Sequence, residues 1–140
     1  MTAPAPNRSL RRSLALTLTL GLALLLGGCA AHGPVQCGKA SWYGKSLRGH
    51  PTASGEPFRP GHRTAAHKTL PFGTVVRVTR PDTGQHVRVV INDRGPFVAG
   101  RIIDLSRKAA RRIDLIDAGV APVEIQVVGC RARYEGCGRR

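Results

Sequence analysis

The sequence predicts a mainly β domain, a compact barrel of six short strands with one small helix. Six segments of four to seven residues carry apolar alternation or dense apolar runs, and turn residues separate them. Ser106 is a suitable N-cap for a helix over 107–113, which contains the Ala109-Ala110 pair. So many short strands in one small domain are typical of a closed barrel.

The strands can be placed from the pattern of apolar residues. In the third and fourth strands every second residue is Val or Ile, which gives each strand one apolar face. The long segment 44–60 is rich in Gly, Pro, Ser and Thr and is predicted as a loop. Loops of this length in small domains usually bind or catalyse. The predicted strands lie at 39–43, 64–67, 73–79, 85–91, 101–105 and 123–128.

The first 28 residues are typical of a lipoprotein signal peptide. Three arginines precede an uncharged run, Leu14 to Leu26, that is too short to span a membrane comfortably. The run ends in LGGCA, which resembles the lipobox cleaved before a cysteine carrying diacylglycerol, so Cys29 is the predicted lipidation site. The alternative is an ordinary secretory signal with a chance cysteine.

These features predict the domain organisation and the compartment. We expect a signal peptide at 1–28, a linker at 29–36, the barrel domain at 37–129 and a basic, cysteine-containing tail at 130–140. The mature chain would be anchored by lipid in the cell envelope and face the periplasm. Ala30 is not the aspartate that favours inner-membrane retention in enterobacteria, which favours the outer membrane.

The chain is strongly basic. Removing residues 1–28 removes three arginines, lowers the formal net charge from +14 to +11, and leaves 112 residues, enough for one domain. In the cytoplasm such a charge would indicate nucleic acid. Export excludes that partner, and the polyanions of the envelope are lipid head groups, lipopolysaccharide and peptidoglycan carboxylates.

The cysteines and histidines indicate no metal site. After Cys29, three cysteines remain, at 37, 130 and 137, and an oxidising periplasm permits one disulfide with one thiol left over. A bridge between Cys37 and Cys130 and a loop between Cys130 and Cys137 both remain open. Neither a CxxC pair nor histidine ligand spacing is present, so the sequence predicts no metal and no cofactor.

The stretch VVINDRGPF (89–97) runs from an apolar strand into Asp93 and then into Gly95-Pro96. Glycine permits unusual backbone angles and proline stiffens a turn. Either the strand delivers the carboxylate of Asp93 to the rim of a groove for chemistry, or the carboxylate caps the turn and pairs with Arg94 or Arg101. The residues alone leave both interpretations open.

The other acidic residues divide into candidates and solvated residues. Glu56 lies in the TASGE loop, where it is either a substrate contact or a solvated side chain. Asp104 is expected to form structural hydrogen bonds at the start of the helix. The remaining acids are expected in turns, on outward faces or in the tail: Asp82, Asp114, Asp117, Glu124 and Glu135.

Seven motifs in order carry a resemblance to a known family. The chain closely resembles the rare lipoprotein A (RlpA) family over roughly residues 37–128. This implies a six-stranded double-psi β-barrel with one or two short helices. The motifs are ASWYG (40–44), TASGE (52–56), TAAHKTLPFGT (64–74), VRVT (76–79), INDRGPF (91–97), GRIIDLS (100–106) and GVAPVEIQVV (119–128).

The resemblance implies an activity and a set of catalytic residues. Characterised members include lytic transglycosylases that act on peptidoglycan lacking stem peptides, and Asp93, Glu56 and His67 match the family's site positions. A histidine alone at the end of a strand is more typical of a structural residue. Members often carry a C-terminal SPOR domain, and none is recognised before Arg140.

Substrate-binding residues are predicted around the same motifs. Trp42 and Tyr43 point to opposite faces of a strand, and we expect Tyr43 to floor the groove. Arg94 and Arg101 are candidates for lactyl carboxylates, or they neutralise Asp93 and Asp104. Thr52 and Ser54 complete the predicted binding residues. Phe72 and Phe97 are expected to pack in the barrel instead. Arg59 and Pro60 depart from the family pattern and make one edge of the groove more basic.

These observations predict an endolytic transglycosylase that cleaves the bond between N-acetylmuramic acid and N-acetylglucosamine with formation of a 1,6-anhydro ring. Such chemistry needs a carboxyl that gives up a proton and groups that stabilise an oxocarbenium-like state. We expect Asp93 to be the proton donor, with Glu56 assisting. The alternatives are a non-catalytic glycan-binding or division-associated lipoprotein, and an expansin-like protein that loosens the wall.

Overall fold

The computed structural model describes residues 34–44 and 47–134 of the chain. Within these ranges the elements are six strands and two short helices. The predicted signal peptide and Cys29 lie outside the described residues, as do Glu135 and Cys137. The elements are β1 (Val35–Trp42), β2 (Thr64–His67), β3 (Thr74–Thr79), β4 (His86–Asp93), β5 (Arg101–Leu105), α1 (Arg107–Arg112), α2 (Leu115–Ala118) and β6 (Ala121–Cys130).

The six strands form a closed barrel in the order β1-β5-β2-β4-β3-β6. β1 pairs with β5 in parallel, β2 pairs with β4 in parallel, and the remaining neighbours are antiparallel. Strands that are distant in the chain therefore become neighbours, and β4 is held between β2 and β3. Closure leaves no open sheet edge among these strands, and it brings the loops at their ends together.

The core follows the alternation in the sequence. Val76 and Val78 of β3 point inwards, and so do Val87, Val89 and Ile91 of β4, all almost fully buried. The valine-rich and isoleucine-rich strands form because branched side chains pack well on a pleated surface. The helices cover the barrel with a second set of buried residues: Ala109, Ala110, Ile113 and Leu115.

The predicted elements are confirmed, with differences at their ends. β1 begins at Val35 because this segment pairs with β6, where Val35 lies opposite Gln126, so Cys37 lies inside a strand. β6 continues to Cys130 because its last residues pair with the start of β3. The added residues of β1 and β6 are held in strand conformation by pairing with neighbouring strands, and the alternation of apolar side chains does not predict them.

The state of Cys37 and Cys130 excludes one of the two disulfide pairings that the sequence leaves open. Cys37 is exposed and carries a free thiol. Cys130 is disulfide-bonded. A bridge between Cys37 and Cys130 is therefore excluded, and the partner of Cys130 is not among the described residues.

The described ranges hold neither a membrane-spanning helix nor a cluster of metal ligands. No helix in 34–44 or 47–134 is long and apolar enough to cross a membrane. Within the same ranges, no three side chains of the His, Cys, Asp and Glu types are grouped so that they would hold a metal ion.

Ser106 joins the barrel to α1 through one buried hydroxyl group. Its Oγ accepts hydrogen bonds from the backbone N–H of Ala109 at 3.4 Å and of Thr64 at 3.3 Å, and it donates to the carbonyl of His62. We predict that Ser106→Ala lowers the free energy of unfolding by about 1–3 kcal/mol, because it removes the helix cap and leaves buried groups unpaired. Urea denaturation measures this loss.

The matched control for this prediction is Thr83→Ala. Thr83 is an exposed turn residue whose hydroxyl contacts only Gln85 in the described structure. Its loss should change the free energy of unfolding by less than about 0.5 kcal/mol. Equal effects of the two substitutions would contradict the role of Ser106.

Candidate active site

The TASGE loop is fastened to the end of β4. The backbone N–H of Ser54 donates to the carbonyl of Asn92 at 3.1 Å. The N–H and the hydroxyl of Thr52 both donate to the carbonyl of Glu56 at 2.8 Å, which closes the loop on itself. Thr52 is buried and its hydroxyl also contacts that of Ser54, at 3.0 Å. The two predicted substrate ligands in this loop therefore also hold its shape.

Asp93 ends β4 and its carboxylate is held asymmetrically. Oδ1 accepts hydrogen bonds from the backbone N–H of Ala53 at 2.9 Å and of Arg94 at 2.8 Å. Oδ2 contacts one group, the hydroxyl of Tyr43, at 3.0 Å. The side chain is neither fully buried nor fully exposed. One oxygen thus accepts two backbone donors, while the other accepts a single side-chain donor.

Tyr43, the residue after β1, supports the carboxylate of Asp93 with its hydroxyl group. Its ring packs edge-on against Phe58, with 5.1 Å between ring centroids. Burial raises the pKa of the Tyr43 phenol far above its usual range, and the nearby charge of Asp93 raises it further. The phenol is therefore uncharged across the physiological pH range, and it orients the carboxylate without acting as a base.

Arg94 does not form an ion pair with the carboxylate of Asp93. Its guanidinium lies over the ring of Phe72, 3.9 Å from the centroid. It donates to the carbonyls of Leu70 at 2.9 Å and His67 at 3.3 Å. Arg94 thus stabilises the turn after β2, and Phe72, which packs partly against the core as predicted, also serves as its platform.

The prediction that Phe97 packs in the barrel is wrong. Its side chain is 85% exposed, the most exposed of the large apolar residues that the structure describes. The chain reaches it through Gly95, whose φ of 117° is unfavourable for residues with a Cβ, and the following peptide bond is cis. The ring lies close to Gly95 rather than under the sheet. The turn therefore presents an aromatic face to solvent four residues after Asp93.

His67 is buried, and the protein itself uses both of its ring nitrogens. Nδ1 accepts hydrogen bonds from the backbone N–H groups of Leu70 at 3.1 Å and Thr69 at 3.2 Å, which leaves Nε2–H to donate to Oε1 of Gln36 at 3.0 Å. Burial lowers the pKa of His67, and the charges of Arg94 and Lys68 lower it further, so the neutral ring is favoured. A sugar hydroxyl would reach Nε2 only by displacing Gln36.

Glu56 lies at the other end of the TASGE loop and contacts the chain after β6. Its Oε2 accepts a hydrogen bond from the hydroxyl of Tyr134 at 2.7 Å and a longer one from Asn92 at 3.5 Å. Its Oε1 lies 3.3 Å from the guanidinium of Arg133. The hydrogen bond from Tyr134 lowers the pKa of Glu56, and Asn92 and the positive charges of Arg133 and Arg131 act in the same direction. Glu56 is therefore ionised at neutral pH.

Tyr134 is a site residue that the sequence motifs do not predict. Its ring lies against Gly73, where a Cβ on the glycine would approach within 2.6 Å, so this contact requires glycine. The backbone N–H of Arg131 donates to the carbonyl of Gly73 at 2.9 Å, which fixes the start of the segment. The tail carries no signal of this contact, because it lies outside every recognised motif. A glycine next to a strand is the one available hint, and it does not name its partner.

Asp104 and Arg101 lie on β5. Asp104 is close to the Asp93 cluster, because Ala66 of β2 pairs with both Asp93 and Asp104, and the charge of Asp104 also acts on the Tyr43 phenol. The carboxylate of Asp104 accepts a hydrogen bond from the hydroxyl of Ser41 on β1, so its structural role links two strands rather than the start of the helix. Arg101 forms no ion pair with a described carboxylate, and its Nε is buried without a hydrogen-bond partner there. Arg101 thus does not neutralise Asp104.

A cleft of about 760 Å³ opens beside Glu56. It lies between the segment that follows the TASGE loop, the outer surface of β3 and β4, and the start of the tail. Neither Asp93 nor Tyr43 lines it. We call it the basic cleft because six cationic side chains line it: Arg59, Arg63, Arg88, Lys108, Arg131 and Arg133.

The structure thus brings the predicted site residues together in two places. Asp93, Tyr43 and the start of the TASGE loop form one cluster, and Glu56 with the tail forms the other. The loop 52–56 joins them, and no hydrogen bond connects the two carboxylates directly among the described contacts. His67 is linked to the first cluster through Arg94, which donates to its carbonyl, and through β2, whose Ala66 pairs with Asp93.

A family model described as lytic transglycolase matches residues 35–125. The chain belongs to this family. The resemblance to RlpA proteins is confirmed by curated relatives. The "Endolytic peptidoglycan transglycosylase RlpA" of Campylobacter jejuni is 50% identical over 106 residues, which are 76% of this chain and 38% of the relative. The protein of the same name from Vibrio cholerae is 52% identical over 96 residues, 69% of this chain and 36% of the relative.

A third RlpA relative agrees with the first two. The "Probable endolytic peptidoglycan transglycosylase RlpA" of Nostoc sp. is 57% identical over 94 residues, 66% of this chain and 25% of the relative. This RlpA-family chain therefore spans between a quarter and two fifths of the length of these curated relatives.

Solved structures confirm the double-psi β-barrel. The Streptomyces papain inhibitor has a TM-score of 0.56 and 25% identity, and the match covers 70% of this chain and 97% of that one. An expansin of Clavibacter michiganensis, solved in complex with cellohexaose, has a TM-score of 0.55 and 22% identity, with 68% of this chain and 50% of that one covered. The second likeness concerns the fold alone.

The hydrogen bond between Tyr134 and Glu56 can be tested directly. We predict that Tyr134→Phe moves the pKa of Glu56 upwards, towards its ordinary value of 4.5, because the donor that stabilises the charged form is lost. Since the folded-state pKa of Glu56 is lowered, its contribution to stability is present above the ordinary pKa and is lost as the pH falls through the folded value. Carbon-13 NMR titration of the carboxyl group measures the change.

The control for this titration is Tyr43→Phe. It removes a hydroxyl that contacts Asp93 and does not contact Glu56. It should leave the pKa of Glu56 unchanged. If Tyr134→Phe also left it unchanged, the contact with Tyr134 would not be what stabilises the Glu56 carboxylate.

Proposed function

We propose that this chain is an endolytic lytic transglycosylase of peptidoglycan. It cleaves the bond between N-acetylmuramic acid and N-acetylglucosamine, forms the 1,6-anhydro product, and acts on glycan that is poor in stem peptides. Family membership and the names of the relatives support the reaction class. The observation that carries the proposal is the asymmetric support of Asp93, which leaves Oδ2 as the oxygen able to exchange a proton.

The proton donor in this mechanism is Asp93. Its protonated carboxyl gives the proton to the glycosidic oxygen as the bond to C1 breaks, and positive charge develops on the muramic acid ring. The O6 hydroxyl of the same sugar then bonds to C1, and its proton returns to the Asp93 carboxylate. The proton balance is closed without water, which makes the reaction a lyase reaction rather than a hydrolysis.

Glu56 assists as a charged group. Its lowered pKa keeps it ionised, so it suits electrostatic stabilisation of the oxocarbenium-like state better than proton donation. His67 acts through position, because its neutral ring holds the turn whose carbonyls bind Arg94, the residue after Asp93.

The remaining substrate and localisation assignments belong to the same proposal. Arg101, which forms no ion pair with a described carboxylate, is the proposed ligand for a lactyl carboxylate of the glycan. Ser54 would contact sugar from the loop rim, and Thr52, which is buried, would hold the loop in the shape that presents it. A lipid on Cys29 would keep the enzyme in the envelope, facing the periplasm, with the outer membrane favoured, and peptidoglycan strands are its partner.

The test is a product assay with the full chain purified in a non-ionic detergent. We predict that it releases 1,6-anhydro-muramic products from amidase-stripped peptidoglycan, identified by mass spectrometry. Asp93→Asn should lower the rate by about a hundredfold to ten-thousandfold, because general acid–base catalysis contributes that much. Glu56→Gln should lower it less, since it removes a charge and not the proton donor.

The control variant is Asp117→Asn, which alters an exposed carboxylate on α2. It should retain the parent rate. Soluble products lacking the anhydro ring would indicate hydrolysis. Absence of products with retained binding to sedimented glycan would overturn the enzymatic proposal and leave a glycan-binding or wall-loosening protein.

Phe97 provides a second test of the same function, because an exposed ring four residues after Asp93 suits the apolar face of a sugar. We predict that Phe97→Ala raises KM by about tenfold with little change in kcat, because burying roughly 50 Å² of ring contributes a little over 1 kcal/mol. Phe97→Tyr should retain the parent KM. An unchanged KM for the alanine variant would exclude stacking on Phe97.

A further inference from the structure

The basic cleft combines a concave shape with a high density of positive charge. Its volume of about 760 Å³ lies within the range of ordinary ligand pockets. Its six cationic side chains are exposed. Glu56 is the single acidic residue among the described residues that line it.

The cleft's positive charge is largely unneutralised. In the part of the chain that the structure describes, Arg133 is the cleft cation with a carboxylate within ion-pair distance, namely Glu56 at 3.3 Å. Arg59, Arg63 and Arg88 have no such partner there. Clustered like charges repel one another, so the cleft has a strong electrostatic preference for an anion that enters it.

The cleft is distinct from the cluster around Asp93 and yet adjoins it. Glu56 lines the cleft and closes the TASGE loop, whose other end donates a hydrogen bond to Asp93. The family model matches residues 35–125, and two of the cleft's cations, Arg131 and Arg133, lie beyond that range. The site therefore includes residues that family membership does not assign.

We propose that the basic cleft is a separate binding site for the carboxylates of a glycan strand, and that it holds the strand beside the Asp93 cluster. The inference rests on the proposed function for the identity of the glycan. Guanidinium groups bind carboxylates through paired N–H donors. A strand without stem peptides exposes one lactyl carboxylate in every disaccharide, so neighbouring carboxylates would reach successive arginines.

The shape of the cleft favours a glycan strand over a membrane surface. Lipid head groups form a broad, flat layer, and a recessed cleft allows few of them to contact the cationic side chains at once. A polymer chain enters a concave site and extends out of it. Glu56, which lines the cleft, is the last residue of the TASGE loop, so a strand bound in the cleft would lie beside that loop.

The test measures binding rather than cleavage, with the full chain in detergent and Asp93→Asn present throughout. The cleft variant carries Arg59→Gln, Arg63→Gln and Arg88→Gln. The charge-matched control carries Arg48→Gln, Arg111→Gln and Arg112→Gln, which are exposed cations outside the cleft. The probes are amidase-stripped glycan, the same glycan with its carboxylates converted to methylamides, and phosphatidylglycerol vesicles.

The expected result is that the cleft variant binds the carboxylated glycan about tenfold more weakly than the control, because three exposed ion pairs each contribute modestly. On the methylamide glycan the two variants should bind equally and weakly. Matching melting temperatures would establish that both variants are folded.

Three results would overturn the inference. Equal losses in the two variants would show a general effect of net charge. Tight binding of the methylamide glycan by the chain without the arginine substitutions would show that carboxylates are not recognised. A loss confined to the vesicles would assign the cleft to membrane lipid. Because no cleavage is measured, a chain that releases no products still gives a clear answer on the cleft.

Discussion

The arrangement of the site depends on the hydrogen bonds that the end of β4 exchanges with the TASGE loop. The carbonyl of Asn92 and the carboxylate of Asp93 both accept N–H groups from this loop, at Ser54 and Ala53. A loop rich in glycine and small residues loses much conformational entropy on ordering. Backbone and carboxylate acceptors at the end of a buried strand offset that cost, and they set the positions of both candidate carboxylates.

The two carboxylates are given different chemical environments by this single loop. Asp93 lies against backbone N–H groups and an uncharged phenol, while Glu56 meets a phenol, an amide and two arginines of the tail. Different surroundings allow two acidic groups to perform different roles at one pH. The proposed division into a proton donor and a charged assistant follows from that difference.

The carboxylate of Asp93, at the end of an apolar strand, has the capping role that its sequence context allows, and the proposed chemical role is compatible with it. Asp93 does cap the turn, since it accepts the N–H of Arg94, but it does not pair with the guanidinium of that residue. Arg94 instead binds carbonyls of the turn held by His67. Two backbone bonds are concentrated on Oδ1, and Oδ2 has one described partner, the hydroxyl of Tyr43.

The sequence itself determined the strand pattern, the N-cap Ser106 and the long loop, because local periodicity and turn chemistry act over a few neighbouring residues. Asp93 and Glu56 were singled out by the resemblance of their motifs to the RlpA family, since the residues alone left their roles open. The tertiary structure decided what depends on distant residues: the extension of β1 along β6, the exposure of Phe97, the free thiol of Cys37, and the contact of Tyr134 with Glu56, 78 positions apart. Barrel closure creates these contacts, and no local pattern encodes which side chains it brings together.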